Sequence, residues 1–136
     1  MKKLRLALTS YLLALAFSTS TATAKTFDDW AYSSMSKAYD YALAAYQEQP
    51  DANILAEVYY DYFALYYLYF GAALNNDDFR FFGYAYASYG FNYAKSEQEN
   101  SPNDTSEFTK NTYAAFYYSY FGKVFAYYAY QNPFSF

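Results

Sequence analysis

The chain has 136 residues, with 22 Tyr, 14 Phe and one Trp, no Cys and no His, and a formal net charge of −4. Without His or Cys the commonest general base, the thiol nucleophile and the soft metal ligands are missing, so neither an enzyme nor a cofactor is expected. The acidic balance disfavours nucleic acid and anionic lipid as partners.

Residues 1–24 read as a secretory signal peptide. Met1-Lys2-Lys3-Leu4-Arg5 is a basic head, Leu6 to Phe17 a short apolar run, and Ala22-Thr23-Ala24 an A-x-A cleavage site. The run falls short of the roughly 20 residues that span a bilayer. Cleavage after Ala24 leaves 25–136, a single Tyr-rich domain of 112 residues. Loss of Lys2, Lys3 and Arg5 leaves six of the nine basic residues against all 13 acidic ones, a charge near −7. The expected location is periplasmic, or extracellular at the cell surface. Without cysteine an exported domain has no disulfide staple, so packing must hold it.

Polar breaks divide the rest. They fall at Pro50-Asp51, at Asn75-Asn76-Asp77-Asp78, at Asn100-Ser101-Pro102-Asn103-Asp104 and at Asn132-Pro133. The intervening stretches are too long for ordinary strands. The pattern predicts an all-α fold with helices near 27–48, 52–74, 77–97 and 104–131. Asp28 and Asp77 are candidate N-caps, and Asp104 with Glu107 resembles a capping box.

Two halves, about 27–76 and 77–132, look like copies. Tyr66-Tyr67-Leu68-Tyr69-Phe70-Gly71 returns as Tyr117-Tyr118-Ser119-Tyr120-Phe121-Gly122, 51 residues on, and Asp28-Asp29-Trp30 as Asp77-Asp78-Phe79, 49 on. Two duplicated αα-hairpins in an up-down four-helix arrangement are expected.

The helical wheel of 52–74 is divided in an unusual way. Tyr59, Tyr60, Tyr62, Phe63, Tyr66, Tyr67, Tyr69 and Phe70 share one half. Glu57, Asp61, Ala64, Leu65, Leu68 and Ala72 share the other. Small residues form seams at heptad spacing: Gly83, Ala87, Gly90 and Ala94 in the third helix, and Ala115, Ser119, Gly122, Ala126 and Ala129 in the fourth. The first helix has a looser version in Ala31, Ala38, Ala42 and Ala45. Such seams let helices approach closely, and Gly83, Ala87, Gly90, Ala94, Ala115, Gly122 and Ala126 are the expected close-packing residues.

Candidate chemistry is sparse. Glu57 and Asp61 lie four apart and would make a weak hard-cation site, with a solvated face the simpler reading. Asn75–Asp78 has oxygen ligands for calcium, yet a linker with a cap explains it. The ring ladder invites an electron-relay reading, though no haem or iron–sulfur ligand type is present. Phe82–Phe91 alternates aromatic and small residues in a prion-like way. The terminal Phe136 and nearby aromatics raise a small outer-membrane β-barrel, but both parities are aromatic in 58–70 and 113–130, against the required alternation.

The expected function is that of an exported structural protein. Tyrosine supplies broad, stiff, amphipathic contact area. Faces carrying Tyr59, Tyr62, Tyr66, Tyr69, Tyr117, Tyr120 and Tyr127 are expected to join copies into an oligomer, fibre, filament or surface complex by self-assembly. The competing expectation is a periplasmic carrier that stacks a small ligand or a glycan between helices, and a cell-surface component or a glycan is the other expected partner beside the chain itself.

Overall fold

The structure, a computed structural model, describes residues 26–131. Four helices account for nearly all of them: α1 Phe27–Glu48, α2 Ala52–Ala73, α3 Asp77–Asn100 and α4 Glu107–Gln131. No strand occurs among the described residues, so the segments considered for a barrel or a prion-like strand, 58–70, 82–91 and 113–130, are helical. The leader 1–24 and the Asn132-Pro133 break lie outside the described residues.

Each helix start is capped by a short polar side chain. Thr26 and Asp29 form a reciprocal capping box at α1: the Asp29 N–H donates to Thr26 Oγ1 at 3.3 Å and the Thr26 N–H to Asp29 Oδ2 at 3.0 Å. Asp28, expected as the cap, points inward instead. Asp51 caps α2 through the Asn53 and Ile54 N–H groups. Asn76 caps α3, accepting from the Phe79 N–H at 2.9 Å, and Asp77, also expected as a cap, is the first helical residue.

The expected Asp104–Glu107 box is not formed. The cap of α4 is Ser106, whose Oγ accepts from the Thr109 N–H. Asp104 folds the preceding loop by accepting from Ser106 N, Ser106 Oγ and Thr109 Oγ1, and these bonds hold its carboxyl below the usual carboxylate range. The helix therefore starts three residues later than expected. At its other end α3 runs past 97 to Asn100, because the Asn100 amide and the Ser101 hydroxyl satisfy the Ser96 and Glu97 carbonyls.

The α2–α3 turn is a Schellman motif. Asn75 takes a left-handed φ of 47°, Asn76 N–H reaches Gly71 O at 2.9 Å, and Asn75 N–H reaches Ala72 O at 3.3 Å. Short links at this turn and at Gln49–Asp51 oblige neighbouring helices to run antiparallel. The helices form a ring in which α1 packs most extensively against α4, and α2 against α3. The pairs α1–α2 and α3–α4 are looser.

The inner layer is made mostly of small and aliphatic residues, with Tyr32 and Phe108 the buried aromatic rings among the described residues. Ala31, Met35, Ala38, Ala64, Leu65, Leu68, Ala87 and Ala126 form its largest cluster. Gly83, Ala87, Gly90 and Ala94 are all buried, as are Ala115, Gly122 and Ala126. A Cβ on Gly83 would come within 2.8 Å of Leu68 Cδ2, and one on Gly122 within 2.7 Å of Met35 Cγ. The α3 seam thus seats α2, and the α4 seam seats α1.

The 51-residue offset extends from motif to burial. Buried Glu57, Asp61, Ala64, Leu68 and Gly71 of α2 correspond to buried Phe108, Thr112, Ala115, Ser119 and Gly122 of α4. The offset of 49 likewise relates Ala31, Ala38 and Ala45 to Arg80, Ala87 and Ala94.

Candidate functional site: a buried acid pair beneath an aromatic surface

α2 is turned against ordinary amphipathicity. Its aliphatic half faces the core and carries Glu57 and Asp61 inward with it; its tyrosine half faces out. Glu57 is 2 % exposed and Asp61 fully buried, so neither lies on a solvated face. Both Asp61 carboxyl oxygens and Glu57 Oε1 lack a hydrogen-bond partner. The Asp61 carboxyl lies against the backbone of Gly90, where a Cβ would collide with it. Burial drives both carboxyls well above their ordinary values, and Glu57 is raised further by Asp61 and Glu97. At the equivalent position to Asp61 the second half has Thr112, whose hydroxyl bonds Thr109 O at 2.9 Å and lies 2.9 Å from Ser101 Oγ. Ser119 Oγ is also buried without a partner.

Glu97, at the far end of the same α2–α3 seam, is raised by burial and by the nearby Asp51 charge, with Asn53 opposing. Among the described residues no group of three or more acidic side chains converges as a metal site would require.

The second buried charge cluster is satisfied. Arg80, 2 % exposed, donates from Nε and Nη2 to the Asp28 carboxylate, at 3.1 Å for the Nε–Oδ1 and the Nη2–Oδ2 bonds. Its Nη1 donates to Asn75 Oδ1 at 2.9 Å and Asp77 Oδ1 at 3.0 Å. The oxygens that the sequence offers to a cation at Asn75–Asp78 therefore receive the chain's own guanidinium, as a fixed fork suits. Gly71 makes room for it, since a Cβ there would meet Arg80 Cγ at 2.9 Å. Burial raises the Asp28 carboxyl even with Arg80 opposing, and the nearby charges of Asp29 and Asp77 add to the rise.

The surface is aromatic. On α2 the outermost rings are Tyr59, Phe63 and Tyr66, with Phe70 half-buried behind them. On α4 they are Tyr113, Tyr117, Tyr120 and Tyr127, with Tyr128 beside them. Tyr59 is 57 % exposed and Tyr113 58 %. Tyr62 and Tyr69 lie differently. Both are half-buried and reach α1, Tyr62 approaching Tyr39 at 6.4 Å between centroids and Tyr69 approaching Tyr32 at 6.5 Å. Tyr32 is buried, which raises its phenol together with nearby Tyr69 and Asp40. Lys123, a polar group of α4, lies over the Phe91 ring at 4.8 Å.

Aromatic contacts bridge each tight helix pair. Across α2–α3, Tyr60 meets Tyr86, Tyr89 and Tyr93, and Tyr67 meets Phe79, Phe82 and Tyr86. Across α1–α4, Phe27 and Trp30 meet Phe125, and Tyr41 stacks on Tyr118 with planes 2° apart. An open cleft of about 290 Å³ is lined by Trp30, Ser33, Ser34 and Phe125.

No helix among the described residues is long and apolar enough to cross a membrane. No protein-family profile matches the chain, and neither a curated protein nor a solved structure is significantly similar to it.

Proposed function

We propose that this is an exported structural protein whose outer tyrosine stripes join copies of the chain. One observation carries the reading. Tyr59, Phe63, Tyr66 and Phe70 follow one another at spacings of four, three and four, on the side of α2 turned away from its own core. At 100° per residue they fall on a stripe about 60° wide. Tyr113, Tyr117, Tyr120 and Tyr127 repeat the heptad pattern on α4. A heptad stripe is the pattern by which one helix seats another, and here it is present twice, once inside as small residues and once outside as rings. Faces of this kind mark interaction sites.

The test is light scattering with negative-stain imaging over a roughly hundredfold concentration range, since self-association makes stability rise with the protein's own concentration. Tyr59→Lys with Tyr66→Lys, and Tyr117→Lys with Tyr120→Lys, place charges on the stripes without touching the core. Assembly by the wild type and its loss in either pair supports the reading. A monomer throughout the range removes it.

A carrier role is favoured by a separate observation, the cleft at Trp30 and Phe125, where two rings stand beside the hydroxyl-bearing Ser33 and Ser34. Aromatic platforms next to hydroxyls suit sugar rings. A carrier gains stability with added ligand and not with its own concentration.

A further inference from the structure

The tyrosines across the α2–α3 seam form a cluster with a geometry of its own. Tyr60 and Tyr93 stack with centroids 5.6 Å apart and planes 15° apart. Tyr67 and Tyr86 stack at 5.5 Å and 5°. Tyr60 also faces Tyr86 at 6.1 Å and 27°, and Tyr89 at 5.4 Å. Every one of these pairs joins a phenol of α2 to a phenol of α3. The backbones beneath are held close at Gly83 and Gly90, so the rings cannot drift far apart. Tyr89, 53 % exposed, opens the cluster to solvent, while Tyr60, Tyr67, Tyr86 and Tyr93 are half-buried behind it.

We infer that this cluster is an oxidative cross-linking site, at which a peroxide-dependent one-electron oxidant converts facing tyrosines to dityrosine and ties α2 covalently to α3. Each phenol gives up one electron and its hydroxyl proton. The two radicals join through a ring carbon ortho to each oxygen. The hydrogens on those two carbons then move to the oxygens and restore both aromatic rings. One molecule of hydrogen peroxide takes the two electrons and two protons and leaves as two waters. Two rings already face to face need little rearrangement to couple, which is the advantage of a pre-oriented pair.

Tyr60 is the coupling centre because three phenols of α3 surround it. The α1–α4 pair Tyr41–Tyr118 is as parallel, with centroids at 5.7 Å, but the Lys37 ammonium stands 5.2 Å from the Tyr118 ring centroid and opposes removal of an electron there. The link would supply what the missing cysteines cannot, a covalent staple in a chain expected to work outside the cell. It is formed within one molecule and does not depend on self-association.

The test treats dilute full-length chain with hydrogen peroxide and a haem peroxidase. Dityrosine fluorescence is read together with the mass of the monomer band, and the linked peptides are mapped. The expected product is a monomer lighter by two hydrogens per link, with links joining Tyr60 to Tyr93, Tyr89 or Tyr86, or Tyr67 to Tyr86. Tyr60→Phe with Tyr67→Phe keeps both rings and removes both α2 phenols of the cluster. It is expected to lower the yield of α2–α3 links at least tenfold while circular dichroism stays helical. Tyr59→Phe with Tyr66→Phe serves as the control, since those phenols lie outside the seam and their loss is expected to leave the yield unchanged. Links that map to tyrosines in proportion to exposure, links only between molecules, or an undiminished yield in the Tyr60/Tyr67 variant would each overturn the assignment.

Discussion

Replacing Asp61 by Asn is expected to stabilise the bundle at neutral pH and to remove much of its pH dependence. Asp61 and Glu57 are buried, lack partners for three of their four oxygens, and face no positive charge across the seam; Gly90 packs on one, and Glu97 adds negative charge near the other. Both carboxyls are raised on folding, so above the unfolded carboxylate range the folded chain binds more protons than the unfolded chain. Their protonated forms leave stability fully present at acid pH, and it is lost as pH rises towards their folded values. While a group stays protonated folded and ionised unfolded, the loss is about 1.4 kcal/mol per pH unit, or at most about 2.7 kcal/mol for the pair. Urea unfolding from about pH 5 to about pH 7 reads this slope directly. Asp61→Asn is expected to halve it, and Glu57→Gln added to Asp61→Asn to flatten most of it, with the gain greatest at the neutral end. The Asn amide keeps the size of the carboxyl, so packing on Gly90 is unchanged. A wild type whose stability is level or rising over this interval would refute the burial argument, as would a double variant that keeps the full slope.

Arg80→Met is expected to cost about 3–5 kcal/mol at neutral pH, because Asp28 is left buried and unpaired. The cost shrinks in acid as Asp28 takes up a proton, and Asp28→Asn on top of Arg80→Met recovers part of it, read by the same urea titration. Gly122→Leu is expected to lower the melting temperature far more than Lys123→Leu, since only the first drives a side chain into Met35; equal melting temperatures count against the α4 seam. Ser119→Ala removes a buried hydroxyl that has no partner and is expected to raise stability by about 1 kcal/mol, visible as a higher urea midpoint with an unchanged slope.

The helices were legible because their ends are written locally. Pro50-Asp51, Asn75–Asp78 and the Ser101–Asp104 stretch each separate helices as read, and the small residues at heptad spacing lie inside. What escaped was long-range or depended on which half of a helix turns inward. Asp28 has the local look of a cap, and its partner Arg80 lies 52 residues away, where no short pattern points to it. Charge alone assigns Glu57 and Asp61 to water. Their stripe-mates Ala64, Leu65 and Leu68 carried the opposite signal, and the helix followed the aliphatic side. Two carboxylates near a polar loop point to a start of α4 at 104, while the cap is Ser106, three residues before Thr109. Nor does the wheel alone separate Tyr62 and Tyr69, which reach α1, from Tyr59 and Tyr66, which do not.

The pairing of α1 with α4 decides when the molecule can close. The first helix has its most extensive surface against the last, so a growing or threading chain holds α1 half-covered until residues near Gly122 and Ala126 arrive. Contacts this distant in sequence slow folding, and partial chains keep apolar surface open. The α1–α2 hairpin cannot complete its own core in advance, because the seam that seats Met35 belongs to α4. The middle hairpin, α2 with α3, can close on its own, while α1 waits for α4.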